Sequence, residues 1–215
     1  MFEDLRFYII YLALLSSIIG FRFYYKLPNN KAKFILFIIV FSFLTEFVGK
    51  YFTLWTGLIN FSVYNFYMLA SFSAYIVLLY ALFLKLEFKR IAICFLIIFY
   101  LFYFCNLYYF QYHNDTVFTN SFALGVVFVL LLSCCYFIEI FNSKKILNFK
   151  KSIYFWFILG ILLFHVPFLP FMLAIKWFLI KNDESIFSLV LFILNLLMNG
   201  CFIIGFLWSE KRYNY

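Results

Sequence analysis

Apolar residues in this chain do not alternate with polar ones. They run in long stretches separated by short charged links. Seven stretches reach or approach the ~20 residues that a helix needs to cross the hydrocarbon of a bilayer. They are Phe7–Tyr25, Lys33–Trp55, Val63–Leu84, Ile91–Phe110, Val117–Phe141, Ile153–Ile175 and Ile186–Trp208. All seven are predicted to be helices, because an open strand cannot satisfy its backbone in lipid. The dyad alternation of a membrane barrel is absent. The expected fold is an all-α polytopic membrane protein with seven transmembrane helices, forming one domain over the whole chain.

The links sort by charge. Arg22, Lys26, Lys31 and Lys33 flank the first, Lys85, Lys89 and Arg90 the third, and Lys144, Lys145, Lys150 and Lys151 the fifth. Lys211 and Arg212 follow the last span. Only Arg6, Lys50, Lys176 and Lys181 fall elsewhere. Basic residues collect on cytoplasmic links, so the N-terminus is expected outside and the C-terminus in the cytoplasm. An odd number of spans gives the same answer. The N-terminus, Met1-Phe-Glu-Asp-Leu-Arg6, is acidic and no small-residue cleavage site follows, so the first stretch reads as a retained span.

Composition supports the lipid setting: 67% of the 215 residues are hydrophobic, 12% are charged, and mean hydropathy is +1.02. A soluble domain is nearer half apolar and a quarter charged. The 36 Phe and 18 Tyr fit an AT-rich genome, so aromatic richness alone is no functional signal. The net charge of +8 is explained first by topology rather than by nucleic acid. Cys94, Cys105, Cys134, Cys135 and Cys201 all lie in apolar runs without a C-x-x-C pair, which implies no disulfide framework.

Polar residues inside spans are costly, so they carry the candidate chemistry. Glu46, His165, Asn195, Ser71 and Asn106 fall at similar depths, roughly 15–22 Å from the inner boundary at about 1.5 Å per residue, and Asn199 lies one turn shallower. Glu46, Lys50, His165, Asn195 and Asn199 are expected to line one interior cluster. Glu46 and Lys50 are spaced i,i+4 with the acid first, the favourable order on a helix. Thr45, Gly49 and Thr53 form a small-residue stripe that would admit a close neighbour. Pro167 and Pro170 remove backbone donors near His165 and free nearby carbonyls. Each feature also has a structural account: an ion pair, a helix–helix hydrogen bond, or a kink that only shapes the bundle. Glu139 is expected to pair with basic links. His113 lies in an outer link and is expected to be solvated. Trp55, Tyr64, Phe66 and Tyr67 read as an interfacial belt.

Several chemistries find no support. The last span has no Schiff-base lysine, two histidines on different levels cannot build the zinc centre of the ceramidase-like membrane hydrolases, and G-x-S-x-G, H-E-x-x-H and P-loop motifs are absent. No cofactor or metal is expected.

Leu44-Thr-Glu-Phe-Val-Gly-Lys-Tyr51, followed by Tyr64-Asn-Phe-Tyr67 before an aromatic span, resembles a pattern in small multi-pass proteins of AT-rich bacteria. Some proteins of this kind are encoded as accessories of type VI CRISPR loci. The resemblance covers about 40 residues and brings no functional residues with it. It implies the inner membrane of a bacterium and a role in antiphage defence, by modulating or executing a membrane response.

Three functions compete on these grounds. One is a non-enzymatic membrane effector or channel-like accessory. Another is a carrier or metal-independent intramembrane enzyme using the Glu/Lys/His cluster. The third is a sensor or scaffold in which Lys144, Lys145, Lys150 and Lys151 bind an acidic protein, anionic lipid or RNA. The expected partners are the bilayer itself, a further copy of the chain, and a cytoplasmic protein or RNA at the basic links.

Overall fold

A computed structural model describes residues 5–111, 116–174 and 184–214, without the side chains of residues 6, 7, 144–146, 184 and 185. Among the described residues the regular structure is all helical, with no strand. The helices are α1 (Leu5–Arg22), α2 (Asn30–Thr56), α3 (Phe61–Leu82), α4 (Leu86–Cys105), α5 (Thr119–Phe141), α6 (Ile153–Leu173) and α7 (Glu184–Trp208). A wide π-type turn, Asn106–Phe110, extends α4. Six of these elements are long and apolar enough to cross a membrane. The apolar part of α1 is shorter, Tyr8–Arg22.

The helices overrun the apolar stretches where the flanking residues can be solvated. α4 begins at Leu86, five residues before its predicted start, and takes Glu87, Lys89 and Arg90 into its first turns. A helix can leave the hydrocarbon without ending, because charged side chains on those turns reach water. The third link therefore shrinks to Phe83–Lys85.

The chain divides into two compact units, described separately here. One comprises Met1–Phe43 and Lys144–Tyr215, the other Leu44–Ser143.

In the first unit α6 and α1 both pack along α7. Small residues make the approach close. A Cβ added at Gly160 would stand 3.0 Å from the Met198 carbonyl oxygen, so backbone meets backbone there. Phe157 and Phe202 stack beside it with ring centroids 5.1 Å apart.

In the second unit α3, α4 and α5 pack around Phe72. Its ring meets Phe99 at 5.8 Å and Phe122 at 5.6 Å, both edge-on. Gly125 on α5 supplies the socket; a Cβ there would lie 2.6 Å from the Phe72 ring. The edge-to-face geometry is the preferred one for aromatic pairs and adds about 0.5–1.5 kcal/mol per pair beyond area burial.

Candidate functional site

Glu46 lies in the interior of α2, ten residues before its end at Thr56. The residue is half-buried, and its carboxyl is hydrogen-bonded to the Tyr64 hydroxyl of α3. The local sequence explains this contact. Gly57, with φ at 72°, turns the chain in the left-handed region that glycine tolerates best. The link then runs back along α2, and Asn60 Nδ2 donates to the Gly49 carbonyl at 2.9 Å. α3 thus starts beside Gly49, about 10 Å back along α2 from Thr56 at 1.5 Å per residue. Tyr64, one turn into α3, lies across Gly49, where a Cβ would stand 2.8 Å from the Tyr64 oxygen. Tyr64 therefore faces the Glu46 carboxyl rather than serving only as a belt residue. Of the predicted stripe, Thr45 and Gly49 are buried and Thr53 is exposed.

Lys50 is half-buried on the same helix, with Nζ 5.5 Å from the Tyr51 ring centroid. Tyr51 and Trp55 stack at 5.7 Å. Trp55 and Phe66 are exposed and Tyr67 is half-buried.

Two further candidate polar residues, Ser71 and Asn106, belong to the second unit. Ser71 is buried and donates to the Met68 carbonyl at 3.3 Å. Asn106 opens the wide turn after α4, and its amide donates to Gln111 Oε1 (2.9 Å) and Ser121 Oγ (3.0 Å). Asn65 was not singled out in the sequence, yet it is fully buried and joins three elements. It donates to the Thr116 carbonyl at 3.0 Å and accepts from the Phe118 N–H at 2.9 Å; its own carbonyl accepts from the Tyr103 hydroxyl at 3.1 Å. Glu139 accepts the N–H groups of Leu84 (3.1 Å) and Lys85 (2.7 Å), holding the link that leads into α4. Its partners are backbone donors rather than the basic side chain expected. His113 falls outside the described residues.

His165, Asn195 and Asn199 belong to the first unit, whereas Glu46 and Lys50 belong to the second. His165 is buried, and its Nδ1–H donates to the Ile161 carbonyl at 2.9 Å, which fixes the ring along its own helix. Asn195 donates to the Leu191 carbonyl (2.9 Å) and Asn199 to the Asn195 carbonyl (3.0 Å). Ser16 of α1 closes the chain by donating to Asn199 Oδ1 at 2.7 Å. This bond ties α1 to α7 inside the unit.

A second polar focus lies at the link end of the first unit. Asn214 is fully buried. Its Oδ1 accepts the Ile153 N–H (2.9 Å), its Nδ2 donates to the Lys26 carbonyl (3.2 Å), and its own carbonyl accepts from Asn29 Nδ2 (2.9 Å) and the Tyr154 hydroxyl (3.1 Å). Asn29 in turn caps α2 by accepting the Ala32 N–H at 2.9 Å. Lys26 Nζ donates to the last carbonyls of α7, Phe206 (3.1 Å) and Leu207 (2.7 Å). Burial lowers the Lys26 ammonium pKa, and Glu210 opposes that shift. Glu210 pairs with Lys151 at 2.8 Å and with Arg212 at 2.7 Å. The hydrogen bond from Lys151, supported by Arg212, holds its carboxyl below the usual range. The last residues thus latch α6, α7 and the α1–α2 link together. Of the predicted basic surface, Lys151 belongs to this latch, Lys150 is exposed, and the side chains of Lys144 and Lys145 lie outside the described residues.

No protein family, curated protein or solved structure matches the chain. Among the described residues no three His, Cys, Asp or Glu side chains converge on a point that would hold a metal. Cys94, Cys105 and Cys134 are exposed single thiols, Cys135 is half-buried and Cys201 is buried.

Proposed function

We propose that the chain is a non-enzymatic inner-membrane protein of a bacterium, with seven spans, an outer N-terminus and a cytoplasmic C-terminus, acting as a membrane effector or channel-like accessory. The observation that carries this reading is Glu46. A carboxyl inside a span costs at least about 2.5–3.5 kcal/mol when unpaired, and such residues mark ion or proton paths by default. This one accepts a hydrogen bond from the Tyr64 hydroxyl on a residue that is itself half-buried. A carboxyl so held can exchange a proton or meet a cation without dismantling a network. The resemblance around residues 44–51 and 64–67 adds antiphage defence as the setting.

The test in cells is membrane potential on expression, followed with a voltage-sensitive dye. Wild type is expected to depolarise the membrane, and Glu46→Gln to do so much less at equal abundance. No depolarisation by wild type, or an unchanged response in Glu46→Gln, contradicts the reading.

A further inference from the structure

Where α6 begins and α7 ends, Leu147, Asn148, Phe149, Lys150, Lys151, Trp156 and Trp208 line a cavity of about 570 Å³. It opens beside the latch and is remote in sequence from Glu46. We propose that this groove binds the headgroup of an anionic phospholipid.

The wall is of two kinds. Leu147 is 85% exposed and Trp208 67% exposed, a large apolar area for water to cover. Trp208 and Trp156 stand at the ends of candidate spans, since Trp208 closes α7 and Trp156 lies three residues into α6. Tryptophan favours this level, where its ring meets both acyl chain and headgroup. The Trp156 indole N–H donates to the Lys150 carbonyl at 2.8 Å, which fixes one wall and presents the lysine beside it. The segment Lys144–Lys151 bends at Asn148, where φ is −133° and ψ is 20°, so it does not continue as one helix past the groove.

Charge selects the occupant. Glu210 is the carboxylate of the latch, against Lys150, Lys151 and Arg212, and leaves two positive charges in surplus. Lys151 lies 5.7 Å from the Tyr213 ring centroid and Arg212 lies 4.8 Å from it, so these cations form one cluster rather than scattered surface charges. Lys150 makes no ion pair among the described residues and sits 5.9 Å from the Phe149 ring. A phosphodiester between Lys150 and the Lys151–Arg212 side would neutralise one of these two charges, while Leu147 and Trp208 cover the first carbons of its chains. A zwitterionic headgroup brings its own cation and gains less. Basic pockets beside spans bind anionic headgroups on this physical basis.

The experiment uses the full chain in nanodiscs of equal phosphatidylglycerol and phosphatidylcholine, with retained lipid read by native mass spectrometry. Wild type is expected to retain phosphatidylglycerol preferentially. Lys150→Gln is expected to reduce that preference about fivefold, the effect of about one basic residue near an anionic surface. Lys85→Gln, in the other unit, is expected to leave it unchanged. Trp208→Ser, which alters no charge, is the second arm and is expected to lower phosphatidylglycerol retention too; thermal unfolding of every variant is followed in parallel. Equal losses in Lys150→Gln and Lys85→Gln overturn the proposal in favour of a diffuse field. Displacement of the lipid by inorganic phosphate overturns it in favour of a free-anion site. Salt-sensitive binding of single-stranded RNA through Lys150, without lipid preference, overturns it in favour of a nucleic-acid surface. No preference in wild type also overturns it.

Discussion

Asn214→Ala removes the side chain at the centre of the latch. Two bonds disappear with the amide: the one accepted from the Ile153 N–H and the one donated to the Lys26 carbonyl. The first matters more. Ile153 opens α6 and is buried, and Ser152, which precedes it, makes no side-chain capping bond. Asn214 therefore caps α6 from 61 residues away. Losing a cap costs about 0.5–2 kcal/mol, and leaving the part-buried Lys26 carbonyl without its donor adds up to about 1–3 kcal/mol. A combined loss of about 1.5–5 kcal/mol corresponds to a fall in Tm of roughly 3–20 °C for a chain of this size. The assay is thermal unfolding of the purified protein in detergent. Asn214→Asp keeps the acceptor for Ile153 and loses the donor to Lys26, so it should fall between. Asn142→Ala is the control, since that amide is exposed and serves only its own turn, donating to the Ile138 carbonyl at 2.9 Å. If Asn214→Ala melts with wild type, or no lower than Asn142→Ala, the latch is not a stabilising element and the reasoning fails.

Glycine substitutions should separate by environment. Gly125→Ala presses on the wedged Phe72 ring, an overpacking cost of about 1–3 kcal/mol, whereas Gly200 has open space and Gly200→Ala should gain up to about 1 kcal/mol of helix propensity. Melting temperatures moving in the same direction would contradict this. Glu139→Ala strands the Leu84 and Lys85 N–H groups and should cost about 1–3 kcal/mol, with Glu139→Gln milder because one acceptor remains; hydrogen exchange at the start of α4 reads the change directly. The latch should also respond to acid. The folded state lowers the Glu210 pKa, so its stabilising share is complete above the ordinary carboxylate range and is lost as pH falls through the lower folded value. Tail protection, measured by proteolysis or exchange, is expected to hold from neutral pH down to about pH 4.5 and then to weaken, and Glu210→Gln is expected to abolish that response. A tail that loosens near neutrality would point to another group.

The lipid-facing architecture was legible because long apolar runs leave a chain few options. Six of the seven predicted stretches became helices of spanning length, and the misjudged ends, such as Leu86 for α4, lie where charged side chains let a helix continue into water. The polar partners were much less legible. Depth along a span can be counted, but the direction in which a side chain points depends on how neighbouring helices meet. Tyr64 read as a belt residue because it begins a span; the positive-φ turn at Gly57 and the return to Gly49 bring it to Glu46. Ser16 and Asn65 carry interhelical bonds but look like ordinary small polar residues in sequence. The latch was missed for a different reason. Lys211 and Arg212 read as topology signals, and nothing local in Tyr213-Asn214 says that the asparagine will be buried.

The central claim rests on Glu46 acting as more than an anchor for α3. Purified protein reconstituted in liposomes with an imposed potassium gradient tests it most directly, with a potential-sensitive dye reporting ion movement. Wild type is expected to dissipate the gradient. Glu46→Gln is expected to slow dissipation by about tenfold, the effect of roughly 1.4 kcal/mol on the limiting step. Tyr64→Phe, which keeps the ring over Gly49 and removes only the hydroxyl, is expected to alter the rate without unfolding the protein. Tight liposomes with wild type, or equal leakage from wild type and Glu46→Gln, would make Glu46 and Tyr64 a structural pair and contradict the account.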